Sequence, residues 1–147
     1  MTVLDTEAYL DQVCRMLEAG HENVPVPIRG VSMRPFLRYG DYAYLISLPD
    51  RIKAGDILLF RRPNGQYVLH RVHKRRRDGS FLLLGDSQLA AEPVDREQLL
   101  AKTAFVRRKD RICRPGGLCW WFFACPWRLC APLRPLIGKA LALLRRK

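Results

Sequence analysis

At 147 residues, 48% of them hydrophobic and 27% charged, the chain is long enough for one packed domain and too short for two comfortable ones. That balance excludes wholesale disorder. The formal net charge is +12, from 26 Lys and Arg against 14 Asp and Glu, with basic residues clustered at 71–77, 107–114 and 145–147. Such a field attracts polyanions but does not distinguish a nucleic acid from an anionic membrane face.

The opening MTVLDTEAYLDQ is polar and acidic rather than a charged start followed by an apolar run. The chain is therefore expected in the cytoplasm unless its C-terminal tail attaches it to a membrane. Over 5–19, Leu10, Val13, Met16 and Leu17 recur at helical spacing, with Asp5 or Thr6 as N-cap and Gly20 as stop, which predicts one short amphipathic helix. Pro25 and Pro27 interrupt any regular ladder in VPVPIRG. The segments YAYLISL, DILLFRR, YVLHRVH and FLLLGD suit strands. Hairpin turns are expected at Pro63-Asn64-Gly65 and at RRRDGS over 75–80, with Gly-Asp turns at 40–41, 55–56 and 85–86. A brief helical turn in EPVDREQLLAK precedes a last strand, TAFVRRK. The segment 43–110 thus reads as a β-meander of short strands.

From about residue 115 the composition changes to Trp, Phe, Leu and Pro. The apolar run Leu118 to Trp127 is too short to cross a bilayer as a helix, which takes roughly 20 residues. Beyond Leu133, an apolar stripe of Leu136, Ile137, Ala140, Leu141 and Leu144 stands opposite Arg134, Lys139 and Arg145, as in helices lying in a headgroup plane. Three parts are expected: an N-terminal helix over 1–23, a β domain over 24–112, and a hydrophobic, basic, membrane-associating tail over 113–147. The alternative for the aromatic cluster Trp120, Trp121, Phe122, Phe123 and Trp127 is that it covers an apolar face of the domain. Five cysteines form an odd set, so no disulfide framework is expected; the spacing of Cys113, Cys119, Cys125 and Cys130 contains no CxxC pair and fits no zinc site.

Chemistry concentrates in Gly30-Val31-Ser32-Met33-Arg34-Pro35-Phe36. A serine near a glycine can sit on a sharp turn with its hydroxyl exposed, while Met33 and Pro35 fix the loop against apolar neighbours. On its own such a serine is more often structural than catalytic. However, GVSMRPFLRYGD resembles the nucleophile motif Gly-x-Ser-Met-x-Pro of the signal peptidase I family. Further resemblances follow in order: Lys53 to Phe60 to that family's Gly-Asp-Ile strand, Val68 to Val72 to its His-Arg strand, and Phe81 to Ser87 to its Gly-Asp-Asn turn. Together they cover about residues 24–108.

The resemblance implies a mostly β fold of the signal-peptidase and LexA-like kind, built of short antiparallel strands, with an N-terminal helix and an amphipathic hydrophobic helical tail. It implies a serine endopeptidase acting on signal or leader peptides of precursor proteins, with no metal or organic cofactor. Bacterial leader peptidases and LexA-like repressors use a lysine base, whereas His70 here points to the endoplasmic-reticulum and archaeal type. The carry-over is Ser32 as nucleophile, His70 as base and Asp86 as the carboxylate that orients it, with Glu92 and Asp95 as supporting or alternative acids. The Ser32 amide supplies one oxyanion donor, and Gly30 offers no hydroxyl for a second.

A serine hydroxyl is a poor nucleophile until a base takes its proton, which imidazole does near neutrality. Activity should therefore fall near pH 6; a rise only at alkaline pH would point to Lys53, Lys74 or Lys102 instead. His21 and His73 are expected to face solvent. The run Lys74-Arg75-Arg76-Arg77 lacks interleaved aromatics and reads as a solvated loop, so no nucleic-acid partner is expected. Expected partners are a precursor peptide and a membrane surface. The rival classes are a DNA-associated regulator of the LexA-like kind and a non-catalytic membrane adaptor with the same fold.

Overall fold

A computed structural model describes residues 3–145 of the chain, with side chains from Thr6. Helix α1 (Val3–Glu18) is followed by β1 (Val24–Pro27), β2 (Tyr42–Ser47), β3 (Ile57–Arg61), β4 (Tyr67–Arg75), β5 (Phe81–Leu84), β6 (Glu92–Val94), β7 (Leu99–Arg108) and β8 (Arg111–Cys113). The architecture is a mostly antiparallel sheet flanked by an N-terminal helix and C-terminal helices. None of the helices among the described residues is long and apolar enough to cross a membrane.

α1 forms because Leu10, Val13 and Leu17 fall on one stripe, and all three are buried against the sheet. It stops at Gly20, whose φ of 91° is left-handed and whose amide, with that of His21, bonds back into the last turn. Asp5 and Thr6 do not cap it, since the helix already runs from Val3. The expected hairpin turns form at both positions, with Gly65 at φ 90° and Gly79 at φ 88°.

Two expectations fail in the sheet. Its order is β1-β2-β7-β3-β4-β5-β6, so β7 lies between β2 and β3 and the strands are not a simple meander. After β6 the chain makes a 3-10 turn over Arg96–Gln98 and returns to the middle of the sheet, where Ala101 and Thr103 are buried. In addition, Pro25 and Pro27 do not prevent a strand. Among the described residues β1 is an edge strand paired only with β2, so Val24 and Val26 are the residues that can donate to the ladder and the prolines need not.

β3 is buried on both faces over Ile57 to Phe60, as its unbroken apolar run requires. It separates two cores. Ile57 and Leu59 join α1, β1, β2 and Trp120 in one, while Leu58 and Phe60 join Val72, Phe81, Leu83, Val94 and Leu99 in the other.

The C-terminal segment is only in part a tail. It runs through α2 (Leu118–Phe122), a π-helical turn (Phe123–Trp127), a 3-10 turn (Ala131–Leu133) and α3 (Arg134–Leu144). Trp120 is buried in the first core and meets Phe36 edge-on at 5.5 Å. Trp127 donates from Nε1 to the Asp86 carbonyl at 2.8 Å, and Arg128 donates to the His73 carbonyl. The first half of this segment is thus a strap across the domain. Of the third basic cluster, Arg145 alone lies within the described residues.

Candidate active site

The loop 31–37 leaves the edge of the sheet and returns through the core. Met33, Phe36 and Leu37 are buried and anchor it, whereas Pro35 is exposed, at a cis bond after Arg34, and does not pack it down. Both ends of the loop are held. The Ser87 amide donates to the Ser32 carbonyl at 2.9 Å, and Ser87 Oγ lies within hydrogen-bond distance of the Val31 and Ser32 carbonyls. At the other end Arg108 donates to the Phe36 carbonyl at 2.6 Å while gripping Asp41.

Gly85 is required by this packing. A Cβ placed there would lie 2.5 Å from the Ser32 carbonyl oxygen, so no side chain fits without moving the serine loop. Gly30 makes no such demand, because a Cβ there meets nothing.

Ser32 and His70, 38 residues apart, are brought together: His70 Nε2 lies 3.1 Å from Ser32 Oγ. His70 is 1% exposed and stacks obliquely beside Phe60. Glu92 Oε1 stands 3.3 Å from the other ring nitrogen, Nδ1. The carboxylate stands beside this buried nitrogen without completing a hydrogen bond to it. Glu92 is itself held by Arg62, which donates to its two carboxylate oxygens at 2.9 and 2.7 Å.

Asp86 does not reach His70. Its carboxylate, 1% exposed, is paired at 2.9 Å through both oxygens with the equally buried Arg71, whose other nitrogen donates to the Gly55 carbonyl. Strand register accounts for the exchange. Paired residues in antiparallel strands share a face, and so do residues two apart on one strand. Val72 faces Leu83 and Leu83 faces Glu92, which puts Glu92 on the face of Val72 and His70. Arg71 faces Leu84 on the opposite face, and the turn that follows β5 brings Asp86 to Arg71 there. His70 and Arg71 are neighbours on β4, so each meets its own carboxylate. Asp95 lies exposed at the start of the 3-10 turn, where its amide donates to Gln98.

The lysines raised as alternative bases lie elsewhere: Lys102 is paired with Asp56 at 3.1 Å, and Lys53 and Lys74 are exposed. His21 is exposed, while His73 is half-buried rather than facing solvent.

Electrostatics follows from these positions. Burial pushes the His70 imidazole down to about 4; Glu92 opposes that shift and the nearby Arg62 cation reinforces it. His70 is therefore neutral at pH 7. The hydrogen bonds from Arg62 hold the Glu92 carboxyl below the usual range. A carboxylate beside Nδ1 favours the tautomer with its hydrogen on that nitrogen, in which Nε2 is the acceptor for the serine hydroxyl. For Asp86, burial raises the carboxyl and the Arg71 guanidinium pulls it back.

Ser32 and His70 open onto a cleft of about 380 Å³ whose walls include Ile28 to Met33, Leu45, Leu59 and Tyr67 to Leu69, with Thr6, Tyr9 and Leu10 of α1 at its margin. The ladder between β4 and β5 begins at Arg71, so the cleft-lining stretch Tyr67–Leu69 is paired with β3 on one side and, among the described residues, with no strand on the other.

No family model matches the chain, and neither a curated protein nor a solved structure matches it significantly. From the sequence Glu92 is named as a supporting or alternative acid but ranked behind Asp86, and neither Arg62 nor the Arg71–Asp86 pair is found. The pattern Glu92-x-Val94 beside the apolar alternation of Phe81 and Leu83 was the available signal, obscured because that stretch reads as helical.

Proposed function

We propose that the protein is a serine endopeptidase of the signal-peptidase and LexA-like kind that cleaves signal or leader peptides of precursor proteins, with Ser32 as nucleophile, His70 as general base and Glu92 as the carboxylate that orients it. The single observation that carries this assignment is the 3.1 Å contact between Ser32 Oγ and a neutral, buried His70 Nε2 at the mouth of a cleft.

In the proposed cycle an extended peptide lies along the free edge of Tyr67–Leu69, main chain to main chain. Ser32 Oγ attacks the scissile carbonyl carbon as its proton passes to His70 Nε2. The imidazolium so formed is stabilised by Glu92 across 3.3 Å, and Arg62 keeps that carboxylate ionised and in place. The backbone amide of Ser32 donates to the developing oxyanion. His70 then protonates the leaving amine as the carbon–nitrogen bond breaks, leaving an acyl-serine. A water molecule, deprotonated by the same imidazole, releases the acid product and restores Ser32.

Incubation with a library of extended peptides, read by mass spectrometry, tests the assignment. Cleavage by the native chain that disappears in both Ser32→Ala and His70→Ala is expected; equal cleavage by either variant would remove it.

A further inference from the structure

We propose that the outer face of α3 docks the protein flat against a bilayer surface that carries anionic headgroups. This is independent of the peptidase assignment, since none of its residues belongs to the cleft.

α3 begins with its one inward-facing cation. Arg134 is 7% exposed, lies over the Trp127 ring, and donates to the carbonyls of Gly85 at 3.0 Å and Gln88 at 2.7 Å. It does not belong to the polar face that the sequence suggested. From that fixed point the helix runs outward, and Leu136, Leu141, Leu143 and Leu144 stand 63, 52, 67 and 71% exposed. At roughly 100° per residue, Leu143, Leu136, Ala140, Leu144, Ile137 and Leu141 fall within one arc of about 160°, with Lys139 beyond its Leu143 end and the anchoring Arg134 and then Arg145 beyond its Leu141 end. An exposed apolar arc of this kind, edged by cations, fits the boundary between headgroups and acyl chains.

Charge selects the occupant. Residues 111–147 carry eight Lys and Arg and no Asp or Glu, so the field around the helix favours a negative surface. Length fixes the orientation. Eleven residues span only about 16 Å, half the roughly 30 Å hydrocarbon layer, so α3 lies in the plane of the interface.

The test is co-sedimentation of the full chain with vesicles of mixed phosphatidylglycerol and phosphatidylcholine, against vesicles of phosphatidylcholine alone. Binding to the anionic vesicles that weakens with added salt is expected. Lys139→Glu should weaken it by about fivefold or more. Leu136→Glu combined with Leu143→Glu should weaken it more than about tenfold, with an unchanged circular-dichroism spectrum and melting temperature because both side chains are exposed. Absence of binding, equal binding to neutral vesicles, or binding unaffected by the double variant would overturn the proposal. Concentration-dependent dimerisation abolished by the same double variant, without vesicle binding, would assign the face to a second copy instead.

Discussion

Arg62 holds Glu92 through both carboxylate oxygens, at 2.9 and 2.7 Å, from the turn that joins the two strands beside the cleft. Because Glu92 Oε1 is also the nearest carboxylate oxygen to His70 Nδ1, this guanidinium acts on the serine at second hand. It fixes where the carboxylate points, and its charge helps to keep the imidazole neutral.

The two carboxylates named for the site should therefore behave differently when neutralised. In Glu92→Gln, Arg62 takes the amide oxygen, the amide nitrogen faces His70 Nδ1, and the imidazole is pushed into the wrong tautomer. Peptide cleavage should fall by about 100-fold or more with little change in melting. In Asp86→Asn the buried Arg71 loses its countercharge, which should cost about 3–5 kcal/mol of stability. Paired cleavage assays and urea melts distinguish them. Loss of activity in Asp86→Asn without loss of stability would return Asp86 to the role first expected of it.

The pH profile of kcat/KM for the free protein should keep its acid limb near 4 rather than near the ordinary imidazole value, because only neutral His70 can accept the serine proton and burial holds its pKa there. Removing the Arg62 cation removes a group that lowers this pKa, so Arg62→Gln should move the limb upward. Arg62→Lys retains the charge and should leave it nearly in place. A purely structural role for Arg62 would lower activity at every pH without moving the limb.

The same burial makes His70 a source of acid sensitivity in folding. Its pKa is lower in the folded chain than the unfolded value of about 6.5, so the unfolded state binds the extra proton first. Its contribution to stability is complete above about pH 6.5 and is lost as the pH falls toward 4. Native protein should lose more stability over that interval than His70→Gln, as measured by urea melts at stepped pH.

Gly85→Ala should damage the site although it touches neither Ser32 Oγ nor His70. The new methyl would stand 2.5 Å from the Ser32 carbonyl and must displace the nucleophile loop. Cleavage should fall by about tenfold or more. Gly30→Ala, which meets open space, is the control and should remain close to native activity.

Much of the framework was legible in the residues. The apolar spacing in α1, the turns at Gly65 and Gly79 and the alternating strands follow from local preferences that the tertiary structure leaves intact. The pairing of Ser32 with His70 was expected from motif order and is present as geometry. What escaped was long-range register. Nothing local says that β7 returns between β2 and β3, or that β6 carries Glu92 to the face of His70 while Asp86 turns to Arg71. Arg71, Arg108 and Arg134 were counted as parts of a basic surface, yet each is spent on an internal partner: Asp86, Asp41 and the carbonyls of Gly85 and Gln88. Trp120 and Trp127 likewise read as membrane-seeking until packing showed them facing the domain.

The most direct measurement is covalent labelling with a serine-reactive fluorophosphonate, followed by intact mass and peptide mapping. A hydroxyl activated by a neutral imidazole should give one adduct per chain, on Ser32, with labelling abolished in His70→Ala and slowed in Glu92→Gln. A native, folded chain that takes no label, or takes it equally well when His70 is replaced, would contradict the claim that these two side chains form a nucleophile and its base.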